Sequence, residues 1–148
     1  FIHIVRDPLV LFPSTVRLWK SLSLVQGFQI PSDDAGWIEG HVIDQFVRMY
    51  ECFERDRELV SSDRLIDVRF EDLVADPVAE MRSVYQRLDL GNFANVEPAL
   101  LRYRMKTRDY RTNQYVLPPE VAERVRGRWG PYLQRYGYNA APAPSAVV

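Results

Sequence analysis

The sequence has one cysteine, Cys52, so no disulfide can form within the chain. It has two histidines, His3 and His41, far apart in sequence. With a single thiol they do not supply the ligand set of a structural zinc site. No apolar run approaches the ~20 residues that a membrane-crossing helix needs. Neither sign of charge dominates: 19 Lys and Arg stand against 20 Asp and Glu, a net of −1. Proteins that live on nucleic acid or on an anionic membrane are usually more basic, so any anion site must be local. These scarcities lead us to expect a cytoplasmic, reducing setting, no metal, no nucleic-acid partner and no membrane span.

What remains is an ordinary globular composition of 148 residues, 47% apolar and 26% charged. That is about one domain, able to bury roughly two-thirds of its unfolded surface. Phe1 to Val5 reads as a strand buried on both faces, as in a parallel sheet, ended by Arg6-Asp7-Pro8. A domain seldom opens inside a central strand, and Phe1 is not an initiator methionine, so the expectation is that upstream residues exist in a parent protein. Val16, Leu18, Trp19 and Leu22 fall on one helical face, predicting a helix that starts near Pro13 or is broken there.

Gly27 to Gly36 reads as a polar loop, and Trp37 to Val60 as a long amphipathic helix. Its predicted apolar stripe is Ile38, Val42, Phe46, Met49, Tyr50 and Phe53. Leu65 to Phe70 is a second strand with Ile66, Val68 and Phe70 on one face, and Glu71-Asp72-Leu73 turns the chain. Asp76-Pro77 opens a helix that Gly91 stops. Pro98 to Met105 is helical, and Pro118-Pro119-Glu120 opens a last helix containing Val121, Val125, Trp129 and Leu133. The Ala/Pro-rich stretch 139–148 is expected to be a disordered tail. Two apolar strands separated by helices predict the α/β class with a parallel sheet.

Chemistry concentrates at Val5-Arg6-Asp7-Pro8 and Ser14. A strand ends, an arginine leaves its carboxyl edge, and a hydroxyl follows near a helix N-terminus. Open α/β sheets bind ligands at that edge, helix N-termini favour anions, and arginine offers a forked donor to phosphate. The competing reading pairs Arg6 with Asp7 or Glu71 and leaves Ser14 as an ordinary cap.

The arrangement of Arg6 and Ser14 after a buried strand resembles the motif by which sulfotransferases hold the 3′-phosphate of PAPS (3′-phosphoadenylyl sulfate). Val68-Arg69-Phe70-Glu71-Asp72-Leu73-Val74-Ala75-Asp76-Pro77 is similar to the family's second core strand and turn. The resemblance puts Phe70 against the adenine; taken alone, Phe70 reads as a core residue. Arg102 to Arg111 crowds five cations and two tyrosines into ten residues. It resembles the basic loop that closes over the donor's phosphates, with Arg108 and Arg111 in that role. The Arg-Lys-Gly triplet of animal cytosolic members is absent, and a solvated basic face is the competing reading. Trp129-Gly130-Pro131-Tyr132 through Tyr138 also resembles bacterial sulfotransferase C-termini.

The resemblance implies a partial P-loop-NTPase-like sheet flanked by helices, with residues 1–138 as the C-terminal part of one sulfotransferase domain. It implies PAPS as donor, 3′,5′-ADP as product, no metal, and a small-molecule, carbohydrate or lipid acceptor bearing a hydroxyl or amine. The donor-site residues it names are Arg6, Ser14, Phe70, Arg108 and Arg111. The family's 5′-phosphosulfate loop, leaving-group cation and general base match no residue here, and are expected upstream. The alternatives are a noncatalytic nucleotide-binding module of the same fold, or a nucleotide kinase.

Overall fold

The computed structural model describes residues 1–27, 36–109, 113 and 115–139. The stretch 140–148, most of the expected tail, and 28–35, most of the expected polar loop, lie outside the described residues. The chain forms two compact units, one of residues 1–6 and 56–113, the other of 7–55 and 114–148.

The first unit is built on two strands, β1 (Ile2–Val5) and β2 (Ile66–Arg69). They pair in parallel, with Ile2 opposite Ile66, His3 opposite Asp67, Ile4 opposite Val68 and Val5 opposite Arg69. The α/β expectation of a parallel sheet holds for these two strands. β2 alternates as a half-buried strand should: Ile66 and Val68 point inward, Asp67 and Arg69 outward. Burial of β1 on both faces does not hold, since Ile2 and Ile4 are exposed while Val5 is buried. The apolar run predicts cover on both faces, but the face carrying Ile2 and Ile4 is left about half exposed.

β2 ends one residue earlier than predicted, and Phe70 is the first residue of the short helix α3 (Phe70–Ala75). Glu71 and Asp72 fall in that helix's first turn, where carboxylates suit the positive dipole end. Asp76 then caps α4 (Pro77–Arg87), its carboxylate accepting from the Ala79 N–H at 3.3 Å. α4 stops at Leu88, ahead of Gly91, with Asp89 already at φ 49. Val84 of α4 joins Ile66 and Val68 in a core flanked by Leu73 and Leu88. Burying side chains of this size stabilises by about 1.5–3 kcal/mol each. α5 (Glu97–Lys106) packs on α4 and contributes no buried residue.

Among its described residues the second unit holds only helices: α1 (Pro8–Gln26), α2 (Trp37–Asp56), α6 (Pro119–Arg128) and α7 (Gly130–Tyr136). α1 neither starts nor breaks at Pro13 but runs through it. Its start is set by Asp7 and Pro8, an N-cap carboxylate and a first-turn proline. The buried face is Pro8, Phe12 and Val16, spaced by four, whereas Leu18 and Trp19 are exposed. On α2, Val42, Ile43 and Phe46 are buried and Met49 is exposed, so the apolar stripe is narrower than predicted.

The expected last helix is two helices, with buried Trp129 at their junction. Its ring stacks on Phe46 at 3.7 Å and meets Phe12 edge-on at 5.8 Å. Its indole N–H donates to the Ile43 carbonyl at 3.2 Å, satisfying the one polar atom this ring brings inside.

Candidate functional site

Parallel pairing puts the carboxyl ends of β1 and β2 at one edge of the sheet. Arg6 follows β1 and Phe70 follows β2 at that edge. The Arg6 guanidinium lies over the Phe70 ring, 4.3 Å from its centroid. Both side chains are half-buried. A cation over an aromatic face in this way is worth about 0.5–2 kcal/mol. A flat base can reach Phe70 only on the face that Arg6 does not cover.

Upstream on the same sheet, Asp67 lies opposite His3. Its Oδ1 is 2.8 Å from His3 Nδ1, and Oδ2 accepts from Arg57 at 2.8 Å. Burial pushes the Asp67 carboxyl up, but the Arg57 and His3 hydrogen bonds outweigh it and hold the group below the usual aspartate range. This triad ties the two strands and the turn Arg57–Leu59 together behind the Arg6–Phe70 edge.

Ser14 belongs to the second unit. It is the seventh residue of α1, in the second turn, and so does not cap that helix. The first turn is already served by Asp7: its carboxylate accepts from the Leu9 N–H at 2.8 Å, and its carbonyl from the Val10 and Leu11 N–H groups. The first turn of α1 is thus capped by the chain's own Asp7, and Ser14 lies one turn further in. Arg108 lies on the turn after α5, exposed, with Nε 4.0 Å from the neighbouring Asp109 carboxylate. Arg111 lies outside the described residues.

Two aromatic groupings of the second unit were not singled out as sites by sequence reasoning. His41 stacks on Trp37 at 5.4 Å and meets Trp19 edge-on at 5.4 Å. Between α2 and α7 lies a cleft of about 530 Å³, walled by Phe46, Tyr50, Tyr132 and Tyr136. Burial, and then the Tyr132 and Tyr136 hydroxyls and Glu54, push the Tyr50 phenol far above the usual tyrosine range, so it stays protonated. Glu54 accepts from the Tyr136 hydroxyl and pairs with Arg135. The sequence signal was present in the four-residue spacing of Phe46 and Tyr50, and of Tyr132 and Tyr136.

Residues 1–94 match the model of a family described as the sulfotransferase family. The chain is 40% identical, over 148 residues, to an omega-hydroxy-beta-dihydromenaquinone-9 sulfotransferase of Mycobacterium bovis, and equally to that of Mycobacterium tuberculosis. The alignment covers 99% of this chain and 38% of each relative, so the chain spans little more than a third of their length. No solved structure matches it. With the family match covering well over half its length, the chain belongs to the sulfotransferase family.

Proposed function

We propose that this chain is the donor-nucleotide side of an enzyme that moves a sulfuryl group from PAPS to a hydroxyl, with residues 1–138 forming the C-terminal part of one P-loop-like catalytic domain. The observation that carries the reading is the Arg6 guanidinium stacked on Phe70 at the shared carboxyl edge of β1 and β2. A 3′-phosphate and an adenine are only a ribose apart, so their contacts must converge, and these two side chains do. In the proposal Arg6 binds the 3′-phosphate and Phe70 stacks on the adenine. Ser14 is a second phosphate ligand on its sequence spacing, and Arg108 and Arg111 close over the phosphates from the basic segment.

PAPS supplies the activated sulfuryl group. The chain's own residues orient the nucleotide and, through Arg6, neutralise charge on it in a partly dry site, where such interactions are strongest. The relatives named above act on a hydroxylated dihydromenaquinone. By that analogy the acceptor is a lipid alcohol, and the aromatic walls of Trp19, Trp37 and Tyr50 are the surfaces of this chain suited to it.

The test is nucleotide binding by the full-length enzyme. Arg6→Ala should weaken 3′,5′-ADP by one to two orders of magnitude and leave 5′-AMP nearly unchanged, because a charged hydrogen bond is worth about 1.5–3 kcal/mol. Equal losses for the two nucleotides in a calorimetric titration would overturn the assignment.

A further inference from the structure

α2 sets Phe46 and Tyr50 one helical turn apart, and α7 does the same with Tyr132 and Tyr136. The two pairs meet. Tyr132 stands edge-on to Phe46 at 5.1 Å and to Tyr50 at 4.7 Å between ring centroids. Rings so arranged hold one another edge to face, and they form one continuous wall. The cleft they line, about 530 Å³, falls within the ~300–1,000 Å³ of small-molecule sites, and all of its lining belongs to the second unit. Its polar atoms are engaged within the protein. The Tyr50 hydroxyl is hydrogen-bonded to that of Tyr132. Tyr136 donates to one Glu54 oxygen, and the other pairs with Arg135 at 2.7 Å. Arg128 on the rim pairs with Asp44 at 2.6 Å. Among the described residues no buried side-chain nitrogen or oxygen lacks a partner.

We propose that this cleft is a binding site for a hydrocarbon chain. A sugar or a nucleotide entering it would trade water for walls whose hydroxyls are already bonded, and polar groups buried without a partner are costly. A peptide would bring backbone N–H and C=O groups with the same need. A hydrocarbon has no such need and gains by leaving water for ring faces. The occupant is the chain of the acceptor alcohol, a step that rests on the acceptor reading given above. Contacts to the chain, rather than to the reacting hydroxyl, are the same before and in the transition state. The cleft therefore selects among alcohols through KM.

The experiment is photolabelling of the full-length protein. The probe is a long-chain alcohol carrying a diazirine midway along its chain, and the labelled peptides are read by mass spectrometry. Label is expected on residues 46–54 and 128–136, the two segments that line the cleft. Excess unlabelled long-chain alcohol should suppress it, and a short, water-soluble alcohol should not. Two single variants fill the cleft from opposite sides: Val47→Phe on α2 and Gln134→Phe on α7. Each is expected to cut labelling at least tenfold. Gln134 is exposed, so its variant should keep the parent's melting temperature. The site is overturned if the label falls outside these segments, if both variants are labelled as the parent is, or if the short alcohol suppresses labelling as well as the long one. Sulfuryl transfer to the same alcohol is measured alongside. Label in the cleft without transfer would sink the acceptor reading, and with it the identity of the chain, and leave the hydrocarbon site standing. Transfer with the cleft unlabelled would sink the site and leave the acceptor reading standing.

Discussion

Asp67 illustrates how one carboxylate can fix the geometry that a site depends on. It is paired on both oxygens, with His3 across the strand and Arg57 from the preceding turn. Its titration is displaced downward in the folded state, despite burial, by those hydrogen bonds. A depressed carboxyl contributes stability that is present above its unfolded value and lost as pH falls through the folded one. Asp67→Asn is therefore expected to lower the melting temperature at neutral pH, and the gap to the parent should close as pH drops below about 4. Thermal melts at a series of pH values check this; a gap that persists undiminished at pH 2–3 would show that Asp67 acts through packing rather than charge.

At the scale of the element, α1 carries an internal strain that is open to test. Pro13 has no N–H, so the Leu9 carbonyl lacks its usual helical donor, and an interior proline typically costs a helix about 3 kcal/mol. Pro13→Ala is expected to raise stability by about 1–3 kcal/mol, read from denaturant midpoints. A fall would mean that the ring's own packing outweighs the missing hydrogen bond.

The same helix shows where sequence reasoning went astray. Asp followed by Pro was used correctly at Asp76-Pro77 to open α4, yet the identical signature at Asp7-Pro8 was passed over in favour of Pro13. The conflict was between a start signal and an interior breaker, and the cap prevailed because its carboxylate engages the first turn directly. The parallel strands were legible because short apolar runs between helices admit few topologies. The shared carboxyl edge of Arg6 and Phe70 followed from that topology, even though Phe70 opens a helix rather than closing a strand. The cleft between α2 and α7 was not legible, because it depends on two helices far apart in sequence: Phe46 and Tyr50 read as an apolar stripe, and Tyr132 and Tyr136 as part of a family-like C-terminus. Ile2 and Ile4 misled in the opposite sense: an apolar run signals burial but cannot say what supplies the second face.

For the whole molecule the deciding question is which parts of the chemistry this chain can perform. Every residue proposed for the donor addresses the 3′-phosphate, the adenine or the closing loop. None is assigned to the leaving oxygen or to the acceptor's proton. Losing one preorganised donor at a developing charge costs about 10²–10³ in rate, and losing a general base about 10²–10⁴. Together these place a chain without both roles at least about 10⁴-fold below the complete enzyme, under the floor of an ordinary transfer assay. Residues 1–148 expressed alone are therefore expected to show no sulfuryl transfer from PAPS under conditions where the mycobacterial relatives, of whose length this chain spans 38%, are assayed as complete chains. A parallel titration with 3′,5′-ADP reports whether the short chain still folds its donor edge, so that inactivity is not mistaken for unfolding. Turnover by residues 1–148 would place the base inside this chain. The first residue to substitute would then be His3, already oriented by the Asp67 carboxylate, and the second His41, set between Trp19 and Trp37.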